Sequence, residues 1–410
     1  MEFDKSGKKF KVINKNLFVN TDTFDARIIL NANGKEISQQ PVDISVKPLS
    51  SKSFNVPGEI LDLISDYEKA ESMAGKDVEF TLTVSFGLKE DTLWAGKGHE
   101  VAFGQTTVGQ FFSEYKCLQP LKVVLGNNNL GIYGDDFSAL FTYPAAALVS
   151  YVYCGKEMIE KSPAPNFWRA PVDNDNGYTM TNDYAQWKIA SMYSTLKGYS
   201  MADMKMPDVV PGPNSISIRY KYFLPTTPRS ECFVTYEVFG DGTIRCAMDM
   251  DLVKELGDAP EFGMMFKLSA DYDQLTWYGL GPDETYADRK RGGKLGIYRN
   301  EVKDNVARYL VPQECGNKCD VRYAKVTDKR GRGMMFFGKP FYFSALPYSP
   351  HEMENASHPF ELPQVHYTYV RAAMGQMGIA GDDSWGSRPH PEFLLPKEGK
   401  YQFEFFFKGI

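Results

Sequence analysis

Two pairs of carboxylates lie close enough in the chain to invite acid–base chemistry: Asp173 with Asp175, and Asp382 with Asp383. Hydrolysis of a glycosidic bond needs two such groups on either side of it, about 5–5.5 Å apart for retention and about 6.5–9.5 Å for inversion. Neighbours in an extended segment face opposite sides, so Asp382 and Asp383 cannot flank one bond. Asp173 and Asp175 could share a face, but Arg169-Ala-Pro-Val-Asp-Asn-Asp-Asn-Gly177 has the make-up of a loop. Its carboxylates are expected to accept backbone N–H groups and an ion pair from Arg169. The same stretch fails as a calcium loop, because Gly177 stands at the third ligand position and Tyr184 where the closing Glu belongs. Cys315-Gly-Asn-Lys-Cys319 has no second pair or histidine at zinc spacing. His99, His351, His358, His366 and His390 form no H-x-x-x-H, and neither a Gly-x-Ser-x-Gly nor a phosphate loop occurs. No catalytic residue and no metal ligand is assigned to this chain.

Two other stretches suit contact rather than bond cleavage. In Met377-Gly-Ile-Ala-Gly-Asp-Asp-Ser-Trp-Gly-Ser-Arg-Pro389 the glycines, acids and proline describe a surface loop around Trp385, where an indole seldom serves a core. A flat aromatic face suits the C–H side of a pyranose, with nearby carboxylates to accept hydroxyl hydrogen bonds. A half-buried indole packing its own loop fits the composition as well. In Trp277-Tyr-Gly-Leu-Gly-Pro-Asp-Glu-Thr-Tyr-Ala-Asp-Arg-Lys290, Gly279 and Gly281 allow a bend and Pro282 stiffens the chain just beyond it. Glu284, Tyr286, Asp288 and Arg289 then make a polar tip, so the stretch is either a hinged lid or an ordinary strand end with a surface ion cluster.

The elements that must carry these loops are strands. Residues 8–19, 26–31, 42–48 and 78–86 are short alternating runs closed by Gly, Asn, Asp or Pro, the spacing of a sandwich of about 100 residues. Asn33-Gly34 sits where a type I′ hairpin needs two residues at positive φ. Ile60, Leu63, Ile64 and Tyr67 have the period of a short amphipathic helix, closed by Gly75. The last strand of this part runs from Val101 to Phe112, which sets domains at 1–115 and 121–410. From Val123-Val124-Leu125 to Tyr401–Phe407 the strand pattern continues without a second linker, which calls for one oversized antiparallel sandwich. A helix at 183–197, with Ile189, Tyr193 and Leu196 on one face, interrupts it. Strand–helix alternation is missing, so neither a (β/α)₈ barrel nor a doubly wound sheet can be built, and the fold class is all-β.

Composition agrees. Of 410 residues 43% are hydrophobic, and 28 Phe, 24 Tyr and 5 Trp lend themselves to strands. A net charge of −6 and a pI near 5.6 disfavour nucleic acid or an anionic membrane as partner and leave neutral ligands open. The six cysteines are too sparse for a disulfide scaffold and are expected as free, mostly buried thiols. Neither a signal peptide nor a run of about 18 apolar residues is visible, and the compartment stays open.

Four stretches taken in order, Phe167–Gly177, Gly279–Arg289, Pro312–Arg322 and Met377–Trp385, resemble the landmarks of the last domain of bacterial β-galactosidases of glycoside hydrolase family two. Leu17-Phe-Val-Asn-Thr-Asp22 and Gly98-His-Glu-Val-Ala102 resemble the immunoglobulin-like domain that precedes it, so the resemblance covers essentially the whole chain. It implies an immunoglobulin-like sandwich followed by a large β-sandwich, both belonging to a retaining β-galactosidase. In that family a (β/α)₈ barrel carries the catalytic glutamates and the magnesium and sodium sites, and the resemblance places this chain after it. The chain is thus expected to be a non-catalytic C-terminal piece or small subunit, inactive alone and without a cofactor of its own. Its expected partners are the barrel and other N-terminal domains or a large subunit, in an oligomer acting on a β-galactoside. By the same resemblance Trp385, with Asp383 and Ser384, contacts sugar; Gly281, Pro282 and Glu284 belong to a mobile lid; and Arg169, Asp173, Asn174 and Asp175 support the loops. Ala380 departs from the Gly of many relatives. A free-standing carbohydrate-binding module and a purely structural assembly domain are the alternatives.

Overall fold

In Ser230–Phe239 every second side chain, Cys232, Val234, Tyr236 and Val238, is sealed from solvent while its neighbours are partly exposed. That is the period-two signature of a strand with one face on a core, and it recurs along the chain. The computed structural model describes residues 1–73, 75–144, 147–196, 207–383 and 385–410. The protein is all-β, built from antiparallel sheets with a few short helices. Among the described residues no helix is long and apolar enough to cross a membrane. The chain divides into two compact units, Met1–Tyr115 with Lys294–Ile297, and Lys116–Gly293 with Tyr298–Ile410.

In the first unit one sheet joins Glu2–Phe3, Lys9–Asn14 and Ser50–Asn55, and a second joins Lys35–Pro41, Phe24–Ala32, Glu79–Leu88 and Glu100–Gly109. Phe10, Val12, Ile28, Leu30, Phe80, Leu82 and Val84 fill the core between them. Asn33 and Gly34 take φ of 46° and 79° in the hairpin between the strands at 24–32 and 35–41. The helix is Gly58–Met73. It buries Ile60 fully and packs Ile64 against the core, but leaves Leu63 and Tyr67 more exposed.

The run at 42–48 differs from expectation. It alternates as a strand should, with Ile44 and Val46 buried, yet it joins no sheet. Side chains take the place of a ladder partner. Thr21 Oγ1 donates to Ile44 O (2.9 Å) and accepts from Val46 N (2.9 Å), and Asn14 Nδ2 donates to Val46 O (2.9 Å).

The second unit holds a sheet of five strands, spanning Lys122–Glu157, and one of twelve strands among the described residues. The main path of the larger sheet runs Lys161–Asn166, Glu261–Ser269, Tyr367–Gln376, Gly333–Leu346, Gly399–Gly409, Ile244–Leu252, Ser230–Phe239, Ser215–Leu224, Asp208–Pro211. The strand Gly333–Leu346 changes partner along its length. Met334–Phe337 pair with the closing strand and Tyr342–Leu346 with Tyr367–Gln376, the switch falling next to Gly338 at φ 155°. Phe266, Phe336, Phe343, Phe405 and Phe407 interlock beneath it, Phe266 edge to face with Phe336 and Phe407 and the others tilted.

Helices occupy 173–193. Asp173–Gly177, expected as loop, closes one helical turn because Asp175 accepts from the Val172 N–H that precedes it. Ala185–Tyr193 buries Trp187 and Ala190; of the expected face Ile189 and Tyr193 stay exposed, while Leu196, just beyond the helix, packs partly buried against the core. The Trp187 ring lies 5.6 Å from Phe167 and is fully buried with Ala190, which fixes the rotation of the helix.

Register then gathers the loops. Pairing of Asn166 with Gly263 and of Glu261 with Gln376 brings the chain ends at 166 and 376 to one edge. Pairing of Tyr278 with Tyr323 does the same for the segments after Gly281 and before Lys318.

Candidate functional site

Trp385 stands at the tip of the loop leaving the strand Tyr367–Gln376, with 89% of its surface exposed. The tip is a turn held by Asp383, whose Oδ1 accepts from Trp385 N (2.8 Å) and Ser387 N (3.4 Å). Those hydrogen bonds hold the Asp383 carboxyl below its ordinary range. Ser384 lies outside the described residues. Gly386 has φ 122°, and a side chain there would come 3.0 Å from Gly177 O, so the loop passes directly over the end of the 173–177 turn.

That turn is built around a buried ion pair. Arg169 Nη1 and Asp175 Oδ2 are 2.5 Å apart with both side chains sealed from solvent. Asp175 Oδ1 accepts from Arg169 Nη2 (3.2 Å) and Tyr178 Oη (2.8 Å), and Oδ2 also accepts from Val172 N (2.8 Å), so both oxygens are engaged. Burial works against the Arg169 charge, but Asp175 outweighs it and keeps the guanidinium protonated. The pair reaches the Trp385 loop: Arg169 Nη2 donates to Gly378 O (3.0 Å) and Asn174 Nδ2 to Ser387 O (3.0 Å). Asp173 instead exchanges hydrogen bonds with Gln313, its N–H to Oε1 and its Oδ2 from Nε2, both 3.2 Å.

In the segment after Gly281, Pro282 is exposed, but Glu284 is held under the surface. Its Oε1 accepts from Tyr309 Oη (2.6 Å) and Arg289 Nη1 (3.0 Å), its Oε2 from Gly316 N (2.8 Å). Thr285 is clasped as well, its N–H donating to Asn317 O and its Oγ1 accepting from Cys319 N, both 2.8 Å. Gly281 leaves room for Tyr298, whose ring would lie 2.7 Å from a Cβ there. The segment from Gly281 to Gly293 encloses a pocket of about 380 Å³ lined in part by Asp283, Asp288, Lys290 and Arg291.

Two features have no signal in the local sequence. Arg371 is buried between Glu261 (2.9 Å) and Glu314 (2.5 Å), residues 110 and 57 positions away. Burial pushes the Glu261 carboxyl up against the pull of Arg371. Lys318 is also buried, 4.8 Å from the centre of the Trp277 ring, and burial pulls its ammonium down to about 8. Among the described residues no group of three or more His, Cys, Asp or Glu has metal-holding geometry. Cys315 and Cys319 are free and buried.

The arrangement thus brings four separated stretches together to present one indole on a braced loop. A family profile described as "Beta galactosidase small chain" matches residues 133–407, and one described as "Beta-galactosidase, domain 4" matches residues 10–109. The chain is 38% identical over 409 residues to a beta-galactosidase of Halalkalibacterium halodurans, covering 98% of this chain and 38% of that protein. It is 35% identical over 411 residues to that of Priestia megaterium, covering 99% and 38%. It is 31% identical over 311 residues to the beta-galactosidase small subunit of Latilactobacillus sakei, covering 70% of this chain and 96% of that one. The chain spans 38% of the length of the first two of these relatives.

Proposed function

From a chain that belongs to the β-galactosidase small-chain family, we propose a non-catalytic component of a retaining β-galactosidase of glycoside hydrolase family two, which cleaves terminal β-D-galactosides such as lactose. Its first unit is read as an immunoglobulin-like sandwich and its second as the terminal sandwich, together seated against a barrel-bearing portion or large subunit that holds the catalytic glutamates, in an oligomer. The single observation that carries this reading is the exposed indole of Trp385, held on a loop that Arg169 and Asn174 brace from a distant part of the chain.

An indole fixed at a loop tip stacks on the C–H face of a sugar ring and shields it from water. We assign that contact to the leaving-group sugar at the mouth of the pocket. Asp383 spends Oδ1 on the turn, so Oδ2 is the oxygen offered to a sugar hydroxyl; Ser384 is proposed beside it. Gly281, Pro282 and Glu284 are assigned to the segment that covers the mouth, with Glu284 as its anchor rather than its tip. Double displacement at the anomeric carbon belongs to the partner's two carboxylates. The magnesium and sodium of the complete enzyme are assigned to the barrel-bearing partner.

Losing the stacked indole removes apolar contact of about 1–3 kcal/mol, or about 5- to 150-fold in affinity. Trp385→Ala in the assembled enzyme should therefore weaken glucose-acceptor binding by that factor and disturb the galactose pocket far less. Inhibition constants for glucose and galactose, measured on both proteins, check it; an unaltered glucose constant would remove Trp385 from the site.

A further inference from the structure

Asp288 lies in the segment after Gly281, yet its carboxylate belongs structurally to the Trp385 loop. Its Oδ2 accepts from Ala380 N at 2.8 Å, across 92 residues of sequence. A Cβ built on Gly378 would stand 2.5 Å from the same oxygen, so the backbone of that loop's root lies flat against the carboxylate. On another side of the root Arg169 Nη2 donates to Gly378 O. The peptides around Gly378–Ala380 are therefore gripped between a cation of the first stretch and an anion of the second.

The direction of Asp288 is itself fixed. Tyr286 and Arg289 exchange backbone hydrogen bonds around it (3.2 and 2.9 Å), and Tyr286 is fully buried. Immediately before Tyr286, Thr285 and Glu284 are tied to the third stretch. Asp288 Oδ1 is buried and has no hydrogen-bond partner. Oδ2 alone therefore carries the link to the Trp385 loop, and any acceptor oxygen held at that position can make it.

Resting on the role of Trp385 proposed above, we propose that Asp288 is a positioning residue that couples the covering segment to the indole, so that the two move as one body. Displacement of residues 281–289 pulls the peptide at Ala380 and with it the stem that carries Trp385. The segment is then not an independent flap: when it shifts, the stacking platform shifts with it.

The test uses the full chain labelled with 5-fluorotryptophan, with the Trp385 signal assigned by Trp385→Phe. In Asp288→Ala the fluorine resonance of Trp385 should shift or broaden while those of the buried Trp168, Trp187 and Trp277 stay in place. Asp288→Asn, whose amide oxygen can still accept from Ala380 N, should restore it. Gly378→Ala, which drives a methyl against the carboxylate, should disturb the same resonance, and its effect should shrink when Asp288 is also Ala. If Asp288→Ala folds poorly, Gly378→Ala alone probes the same contact from the other side. An unmoved Trp385 resonance in Asp288→Ala, or additive effects in the cycle, would overturn the coupling. In the assembled enzyme Asp288→Ala should raise the constant for acceptor binding about tenfold and lower hydrolytic kcat less, with Asp288→Asn recovering the difference. A shifted resonance with unchanged acceptor binding would leave the coupling standing and remove Trp385 from the sugar site.

Discussion

His390 and Asp382 face one another across the two stems of the Trp385 loop, Nε2 and Oδ1 2.9 Å apart, and Glu392 lies 3.8 Å from the other ring nitrogen. The hydrogen bond to Asp382, then its charge and that of Glu392, raise the imidazole above its ordinary 6.5. A raised folded value means the brace is fully present below the unfolded value and is lost as pH rises through the folded one. Both side chains are largely solvent-exposed, so the effect is local and salt-screened. Acrylamide quenching of Trp385, taken as the difference from Trp385→Phe, should therefore be weakest below about pH 6.5 and grow above it. His390→Gln should flatten that profile. At this scale the sequence told much about Trp385, because glycines and acids around an indole describe a surface loop. It told little about Glu284, whose clasp to Tyr309 and Gly316 comes from residues 25 and 32 positions away. Nothing near Arg371 in the chain announces Glu261 or Glu314.

Elements were legible where one residue period decided them and illegible where a side chain replaced a backbone partner. Asn33-Gly34 could be placed because only positive φ closes that hairpin. The run at 42–48 carried the right alternation, yet at its buried centre, Ile44 and Val46, the side chains of Thr21 and Asn14 rather than a neighbouring strand meet the backbone. Thr21→Val keeps the shape and removes the hydroxyl, leaving Val46 N and Ile44 O to find new partners in a buried place. It should destabilise the first unit by about 1–3 kcal/mol, read as a lower urea midpoint with an unchanged slope. The helix Ala185–Tyr193 shows the complementary case: several apolar faces were available on paper, and the ring contact of Trp187 with Phe167 chose among them. The turn at 173–177 looked like loop because its acids suit both states, and only the buried Arg169 partner settles Asp175 inside it.

For the molecule as a whole the acids best placed to attract attention are already committed, Asp175 to Arg169 and Glu261 and Glu314 to Arg371. With 38% of the length of its long relatives, the pure chain should not turn over nitrophenyl galactoside, and activity should appear only when a barrel-bearing partner is added. Turnover by the chain alone would contradict the assignment of the chemistry to that partner. The all-β class followed from composition and alternation, whereas the order of strands in the large sheet did not, since alternation says which face is buried but not which strand lies beside which. That order has its own consequence. Gly399–Gly409 leaves the ribosome after all the other strands of the sheet, yet it fills the gap between Gly333–Leu346 and Ile244–Leu252. Until those eleven residues emerge, a nascent chain carries two unfinished half-sheets with bare hydrogen-bonding edges and uncovered phenylalanines, the state in which such chains aggregate. Translation that stops just short of that strand would thus yield insoluble protein rather than a slightly shortened one.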